Sequence, residues 1–230
     1  KRYEKAAQSM TQKPLEEEQI QLFFSDIEPL AASKVLVRLE NETLSIGQRI
    51  LSQGLQLTVR GQDKIGIIGP NGVGKSTLLA KLHQLLSGKR EISLGFMPQD
   101  YQETLQLDLS PVEFLSQTGH KEEIQKIQSH LASLNFSYPE MHHQIHSLSG
   151  GQQGKLLLLN LVLRKPNFLL LDEPTRNFSP TSQPEIRKLF ANYSGGLVTV
   201  SHDRRFLKEV CTSIYSLTEH GLEVVDLQDL

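Results

Sequence analysis

A glycine-rich string at residues 69–77 is the clearest chemical signal in the sequence. It fits the pattern G-x-x-x-x-G-K-[ST], in which backbone amides curl around phosphate oxygens because glycine carries no Cβ to block them. The lysine can reach the β- and γ-phosphates of a nucleotide, and the serine hydroxyl suits Mg²⁺. The pattern therefore predicts a nucleotide-phosphate site made of Gly69, Pro70, Asn71, Gly72, Val73, Gly74, Lys75, Ser76 and Thr77.

An acidic pair follows a second apolar run further along the chain. The run Phe-Leu-Leu-Leu at 168–171 is typical of a buried strand and ends in Asp172 and Glu173. Such a strand would place Asp172 at the carboxyl edge of a parallel sheet, where phosphate and Mg²⁺ bind. Glu173 can polarise an attacking water as a general base. The phosphate loop favours this interpretation over an ordinary acidic strand end.

A third string, Leu-Ser-Gly-Gly-Gln at 148–152, comes just before a predicted helix. A serine and two glycines at a helix N-terminus can hold an anion, because the backbone amides there are unpaired. Taken alone, the string fits a capped helix with a flexible lead-in equally well. Because the string lies between the phosphate loop and the acidic pair in the sequence, we favour nucleotide binding as the role of Ser149, Gly150, Gly151 and Gln152.

Composition limits the class of protein. The 230 residues carry 24 Lys and Arg against 26 Asp and Glu, so the formal charge of −2 argues against a surface built wholly for nucleic acid, although a local basic patch stays open. Cys211 is the single cysteine, which excludes an internal disulfide and favours a reducing compartment. No apolar run approaches the roughly 20 residues of a membrane span. We expect a cytoplasmic piece of a longer protein without direct membrane insertion.

Alternating and helical apolar patterns predict the elements that position these strings. A buried strand at 65–68 and a leucine-rich helix flank the phosphate loop, and residues 101–150 or so read as a small helical insert. The other predicted strands are 20–24, 35–39, 55–59, 168–171, 197–200 and a hairpin at 214–217 and 222–225, with helices at about 152–164 and 184–192. This order of strands and helices predicts an α/β fold with a parallel sheet.

The three strings, in this order, resemble the ATP-binding-cassette (ABC) ATPases over roughly residues 34–230. The resemblance implies a P-loop NTPase fold with an antiparallel β-subdomain, and it implies ATP and Mg²⁺ as ligands. It also implies that two cassettes stack head to tail. The signature at Ser149, Gly150, Gly151 and Gln152 would then contact the nucleotide of the second cassette.

The same resemblance assigns two further residues. Gln99, in Phe-Met-Pro-Gln-Asp, matches the family's glutamine loop, which contacts Mg²⁺ and the attacking water. His202, in Val-Ser-His-Asp, matches the switch histidine that holds the γ-phosphate. The resemblance thus implies a catalytic set of Glu173, His202 and Gln99. The implied metal set is Ser76, Asp172 and Gln99.

Two features resemble the F subfamily, whose members carry both cassettes on one chain, lack a membrane domain and act on ribosomes. Residues 1–19 look like the end of the charged linker between cassettes, with the cassette itself at 20–230. The string at 172–180 resembles the second cassette of the branch linked to ribosome protection against antibiotics. The implied partners are a second cassette on the same full-length chain and the ribosome or its RNA.

The sequence departs from the subfamily pattern at two places. Asp-Glu-Pro-Thr usually continues as Asn-His-Leu-Asp, but here Arg176, Asn177, Phe178 and Ser179 follow. Ser179 thus replaces an aspartate that helps couple the two sites. The position of the usual adenine-stacking aromatic residue matches Ile46, an aliphatic side chain that would hold the base less well.

Other functions stay open at this point. The leading hypothesis is Mg²⁺-dependent hydrolysis of ATP to ADP and phosphate by the second cassette of an F-subfamily protein. The runner-up is the ATP-binding subunit of a membrane transporter, and the third is a non-hydrolysing nucleotide-binding switch. The histidines at 142, 143 and 146, and the basic residues Arg204, Arg205 and Lys208, are interpreted as solvated surface rather than metal or RNA ligands.

Overall fold

The computed structural model describes residues 22–229 of the chain. The predicted linker at 1–19 lies outside these residues, as do Ile20 and Gln21 of the first predicted strand. Leu22, Phe23 and Phe24 have no regular secondary structure, so that strand prediction is wrong for these three residues. The ring of Phe24 instead lies 4.8 Å from that of Tyr193. Leu22 and Phe24 thus pack by their side chains and do not pair as a strand, while Phe23 is exposed.

The described residues form eight strands and seven α-helices. The strands are β1 (Val35–Ile46), β2 (Arg49–Arg60), β3 (Lys64–Ile68), β4 (Leu94–Met97), β5 (Phe168–Asp172), β6 (Gly196–Val200), β7 (Ser213–Thr218) and β8 (Gly221–Val225). The helices are α1 (Lys75–Leu86), α2 (Pro111–Leu115), α3 (Lys121–Ser133), α4 (Tyr138–His142), α5 (Gly150–Arg164), α6 (Gln183–Ala191) and α7 (Arg204–Val210). None of the helices within 22–229 is both long and apolar enough to cross a bilayer.

Six strands form the central sheet, in the order β4-β5-β6-β3-β7-β8. All neighbours are parallel except β7 and β8, which form the antiparallel hairpin expected at the C-terminal end. Parallel strands joined by helices end at the same sheet edge, so the residues that follow β3, β4, β5 and β6 come together there. This sheet confirms the α/β fold expected from the sequence.

Both faces of the sheet are buried, which explains the continuous apolar run of β5. Phe168 and Leu170 belong to one core, shared with α1 and the β1–β2 ribbon. Leu169 and Leu171 belong to the other, shared with α5 and the helical insert. Successive side chains of a strand point to opposite faces, so a strand covered on both sides must be apolar at every position.

Two smaller units flank the sheet. Strands β1 and β2 pair as a two-stranded antiparallel ribbon, with Ile46 opposite Arg49 at its tip. Helices α2, α3 and α4 form the insert, and α2 begins at the capping box of Ser110 and Glu113 that the sequence predicts. Helix α5 begins two residues before the predicted start, because the Ser149 side chain caps its first turn.

Candidate active site

A cleft of about 770 Å³ opens at the carboxyl edge of the central sheet. It lies where β3, β4, β5 and β6 end, so each strand delivers the loop that follows it to the same place. The residues lining it are Ile46, Leu51, Asn71, Gly72, Gly74, Lys75, Ser76, Thr77, Gln99, Asp172, Glu173, Arg176, Val200 and His202. Six of the nine residues predicted for the phosphate loop, the acidic pair, Gln99 and His202 therefore meet here.

The phosphate loop owes its course to glycines. Gly69 has φ +146°, and a Cβ built there would lie 2.6 Å from the backbone oxygen of Leu217. Gly72 has φ +80° and open space around it. These backbone conformations are strained for residues with a side chain, so glycine at these points lets the loop curl without strain. Gly69, Pro70 and Val73 complete the loop without lining the cleft.

Lys75 begins α1, and its side chain is held inside the loop. Its Nζ donates hydrogen bonds to the carbonyl oxygens of Gly69 at 2.9 Å and Pro70 at 3.0 Å. The residue is 8% exposed, and this burial lowers the pKa of its ammonium group, an effect that Glu173 and Asp172 oppose. Because the ammonium is buried, a phosphate ligand that replaces the two carbonyls as acceptor would stabilise its charge.

Ser76 and Asp172 meet across the cleft. The hydroxyl of Ser76 is hydrogen-bonded to the carboxylate of Asp172, which is buried. Burial raises the pKa of Asp172, while the Ser76 hydrogen bond and the charges of Lys75 and Arg176 lower it. A hydroxyl and a carboxylate are the hard oxygen donors that Mg²⁺ prefers, so these residues fit this ion. Gln99 adds an exposed amide at the end of β4.

Glu173 adopts an uncommon backbone conformation for a residue with a side chain, with φ +51°. Its backbone amide donates to the Val200 carbonyl at 2.9 Å, which holds the residue between the ends of β5 and β6. Its side chain is 11% exposed, and burial raises the pKa of the carboxyl, against the lowering effect of the His202 backbone hydrogen bond. Residues held in such conformations cluster at functional sites. A nearly buried carboxylate with a raised pKa is a suitable general base.

The signature string lies elsewhere on the molecule. Ser149 caps α5: its Oγ accepts from the backbone amide of Gln152 at 3.3 Å, and the Gln152 side-chain oxygen accepts from the backbone amide of Ser149 at 3.0 Å. The side-chain amide of Gln152 donates a hydrogen bond to the carboxylate of Glu140, in the insert, at 2.8 Å. Ser149 and Gly150 are exposed, and none of the four signature residues lines the cleft. The chain does not bring its own signature to its own phosphate loop.

Three cleft residues were not predicted as site residues. Leu51 and Val200 supply apolar wall, and Arg176 supplies a cation beside Asp172. The sequence signal for Arg176 was its place four residues after Asp172, where the departure from the subfamily pattern begins. Ile46 lies at the ribbon tip, 61% exposed, and lines the cleft. Ser179 is turned into its own loop, where its Oγ lies 2.9 Å from the hydroxyls of both Thr181 and Ser182.

Comparison with known proteins agrees with this fold. The sequence profile of the ABC transporter family matches residues 52–176. The fold is similar to that of the ATP-binding cassette MJ0796, solved as a dimer in a post-hydrolysis state bound to ADP and Pi. The TM-score is 0.66 at 19% identity, covering 83% of this chain and 98% of that one.

Two curated relatives indicate which type of cassette within the family this chain is. The probable ATP-binding protein YheS of Escherichia coli (strain K12) is 31% identical over 88% of this chain and 33% of its own length. The ABC transporter F family member 2 of Arabidopsis thaliana is 26% identical over 94% of this chain and 33% of its own length. The chain thus spans about a third of these relatives. It belongs to the ABC transporter family, as an ATP-binding cassette of the F type.

Proposed function

We propose that the chain is a Mg²⁺-dependent ATPase cassette that hydrolyses ATP to ADP and phosphate. The observation that carries this proposal is the convergence of Lys75, Ser76, Asp172, Glu173 and His202 on one cleft from three adjacent parallel strands. Each has the chemistry that phosphoryl transfer requires: a cation for the phosphates, oxygen donors for the metal, and a base for water.

Each of these residues has a separate role in the proposed reaction. Lys75 exchanges the two loop carbonyls for phosphate oxygens, and the loop amides and the N-terminus of α1 add donors. Ser76 and Asp172 would hold Mg²⁺, with Gln99 as a further oxygen ligand, and the bound ion would offset the phosphate charge. Glu173 accepts the proton of the attacking water, and its raised pKa strengthens it as a base. His202 orients Glu173 and contacts the terminal phosphate.

A second cassette completes the site. The signature at Ser149, Gly150, Gly151 and Gln152 is suited to close over the nucleotide of another cassette, because Ser149 and Gly150 are exposed at the N-terminus of α5, where backbone amides can bind an anion. The dimer of MJ0796 offers a precedent within this fold. We infer that the partner is the other cassette of the same full-length chain, which would supply it at a high effective concentration.

The cellular role proposed is that of a cytoplasmic F-subfamily protein acting on the ribosome, as a translation factor or in antibiotic resistance by ribosome protection. The F-type relatives and the string at 172–180 support it. The competing role is the ATP-binding subunit of a membrane transporter.

Two experiments test these proposals in turn. The purified chain should release phosphate from Mg-ATP and not from ATP with EDTA; no release above a Lys75→Ala control would refute the ATPase. The full-length protein carrying Glu173→Gln should co-sediment with ribosomes in ATP and separate from them in ADP. Failure to co-sediment, together with co-purification of a membrane permease, would favour the transporter role.

A further inference from the structure

Arg176 is a cation in the cleft for which the motif patterns provide no role. It follows Asp172-Glu173-Pro174-Thr175, and its backbone amide donates to the carbonyl of Glu173 at 3.1 Å, which closes a turn. The turn brings the side chain to the cleft wall beside the acidic pair. There its charge lowers the pKa of the Asp172 carboxyl.

The guanidinium of Arg176 is available to a ligand. Within residues 22–229, no hydrogen bond or ion pair engages it, and the residue is exposed. Arg187 shows the contrast: it is buried, and its Nε lies 3.1 Å from a carboxylate oxygen of Glu209. Lys75, the other cation of the cleft, is bound by the loop carbonyls. Arg176 thus offers five N–H donors that nothing described uses.

The charges that line the cleft explain why an unpaired guanidinium is important for binding a polyphosphate. Two carboxyl groups, those of Asp172 and Glu173, line the cleft beside the ammonium of Lys75. Mg²⁺, when bound by Asp172, would offset one part of the polyphosphate charge, and the guanidinium of Arg176 adds a further cation to the same wall. Arginine also recognises phosphate with two parallel hydrogen bonds, which lysine and asparagine do not provide.

The turn keeps Arg176 next to Glu173, the proposed base, and both residues line the cleft. The carboxylate of the base must lie beside the terminal phosphate, so a cation on the neighbouring stretch of wall can reach the same phosphate. We propose that Arg176 contacts the terminal phosphate of the ATP bound by the phosphate loop of the same chain, and so distinguishes ATP from ADP. This inference rests on the proposed nucleotide-binding function.

Calorimetric titration with Mg²⁺ and either a non-hydrolysable ATP analogue or ADP tests it without measuring activity. Arg176→Asn should weaken binding of the ATP analogue about tenfold, which corresponds to one charge-assisted contact of about 1.4 kcal/mol, and should leave ADP affinity unchanged within about twofold. The affinity of Arg176→Lys for the ATP analogue should lie between those of the parent and Arg176→Asn. The matched control is Arg90→Asn, an exposed arginine beyond the far end of α1, about 18 Å along the helix from the loop.

The outcomes separate cleanly. Retained ADP affinity shows that the variant is folded, so a selective loss of analogue binding supports the contact. An equal loss for both nucleotides, or no change relative to Arg90→Asn, overturns it while the proposed function stands. A parent chain that binds neither nucleotide overturns the proposed function as well.

Discussion

Oε2 of Glu173 accepts a hydrogen bond from the backbone amide of His202 at 3.3 Å, and Oε1 lies 3.6 Å from Nε2 of the same residue. The two residues follow β5 and β6, which are neighbours in the sheet. Glu173 is nearly buried at 11% exposure, whereas His202 is 56% exposed. The backbone amide of His202 therefore holds the base in place, while the exposed imidazole beside Oε1 can reach a ligand in the cleft.

The phosphate loop gives the first prediction. Lys75→Ala should weaken Mg-ATP binding by roughly 1.5–3 kcal/mol, because a charge-assisted contact to phosphate is lost. Titration of nucleotide, followed by the shift in thermal midpoint, measures the change. Lys121→Ala, at an exposed lysine that begins α3, is the control and should bind as the parent does. Equal affinities of the two variants would refute the role of Lys75.

The glycines of the loop give the second. Gly72→Ala should cost about 1 kcal/mol or slightly more in the free energy of unfolding, from backbone strain alone, since nothing lies within 4 Å of the added Cβ. Gly69→Ala adds a 2.6 Å approach to the carbonyl of Leu217 and should cost about 1–3 kcal/mol more. Urea denaturation of both variants measures the difference. Equal losses would show that the close approach does not constrain the loop.

The helical insert gives a third prediction, on pH. Hydrogen bonds from the backbone amide of Gln117 and from the hydroxyl and amide of Thr118 lower the pKa of Glu123 from 4.5 to about 2. A lowered folded-state pKa stabilises the fold above the ordinary value, and this stabilisation fades as the pH falls from 4.5 toward 2. Glu123→Gln should therefore lower stability at pH 7, and its difference from the parent should shrink below pH 4.5. Chemical denaturation across this range tests it; a constant difference would contradict it.

The sequence predicted the main site because two signals coincided. Apolar runs in the sequence indicated the buried strands, and the motifs followed directly at the ends of these runs. Lys75, Ser76, Asp172 and Glu173 therefore had to meet at one sheet edge. Gln99 and His202 came from the resemblance alone, since a single glutamine or histidine in a loop carries no periodic signal.

The features of the site and fold that the sequence did not predict depend on tertiary contacts. The positive φ of Glu173 and the direction of the Arg176 side chain follow from how the loop after β5 is held against β6, which no local pattern encodes. The apolar run around Leu22–Phe24 looked like a strand, but apolar character alone does not distinguish pairing from packing against aromatic rings.

The position of the signature gives a fourth prediction. The isolated chain should bind Mg-ATP as a monomer and hydrolyse it slowly, with activity per molecule rising with protein concentration. Light scattering and phosphate release over a concentration series measure both. A tight symmetric dimer with concentration-independent turnover would favour a self-sufficient transporter-type ATPase.

Mixing two variants sharpens this test. Gly150→Asp places a carboxylate on the signature, where an added Cβ meets nothing within 4 Å. Lys75→Ala disables the phosphate loop. Each should be nearly inactive alone, but a head-to-tail pair of the two contains one intact site. The mixture should therefore recover part of the parental activity; recovery of none would contradict the shared site.

The most direct test of the account is Glu173→Gln, measured in parallel for nucleotide binding and phosphate release at the highest protein concentration. The amide cannot accept the proton of water, so we expect Mg-ATP affinity near that of the parent and phosphate release reduced to background. Glu223→Gln, at an exposed glutamate on β8, should match the parent in both. Phosphate release by Glu173→Gln at the parental rate would show that Glu173 is not the base and that the cleft works by another mechanism.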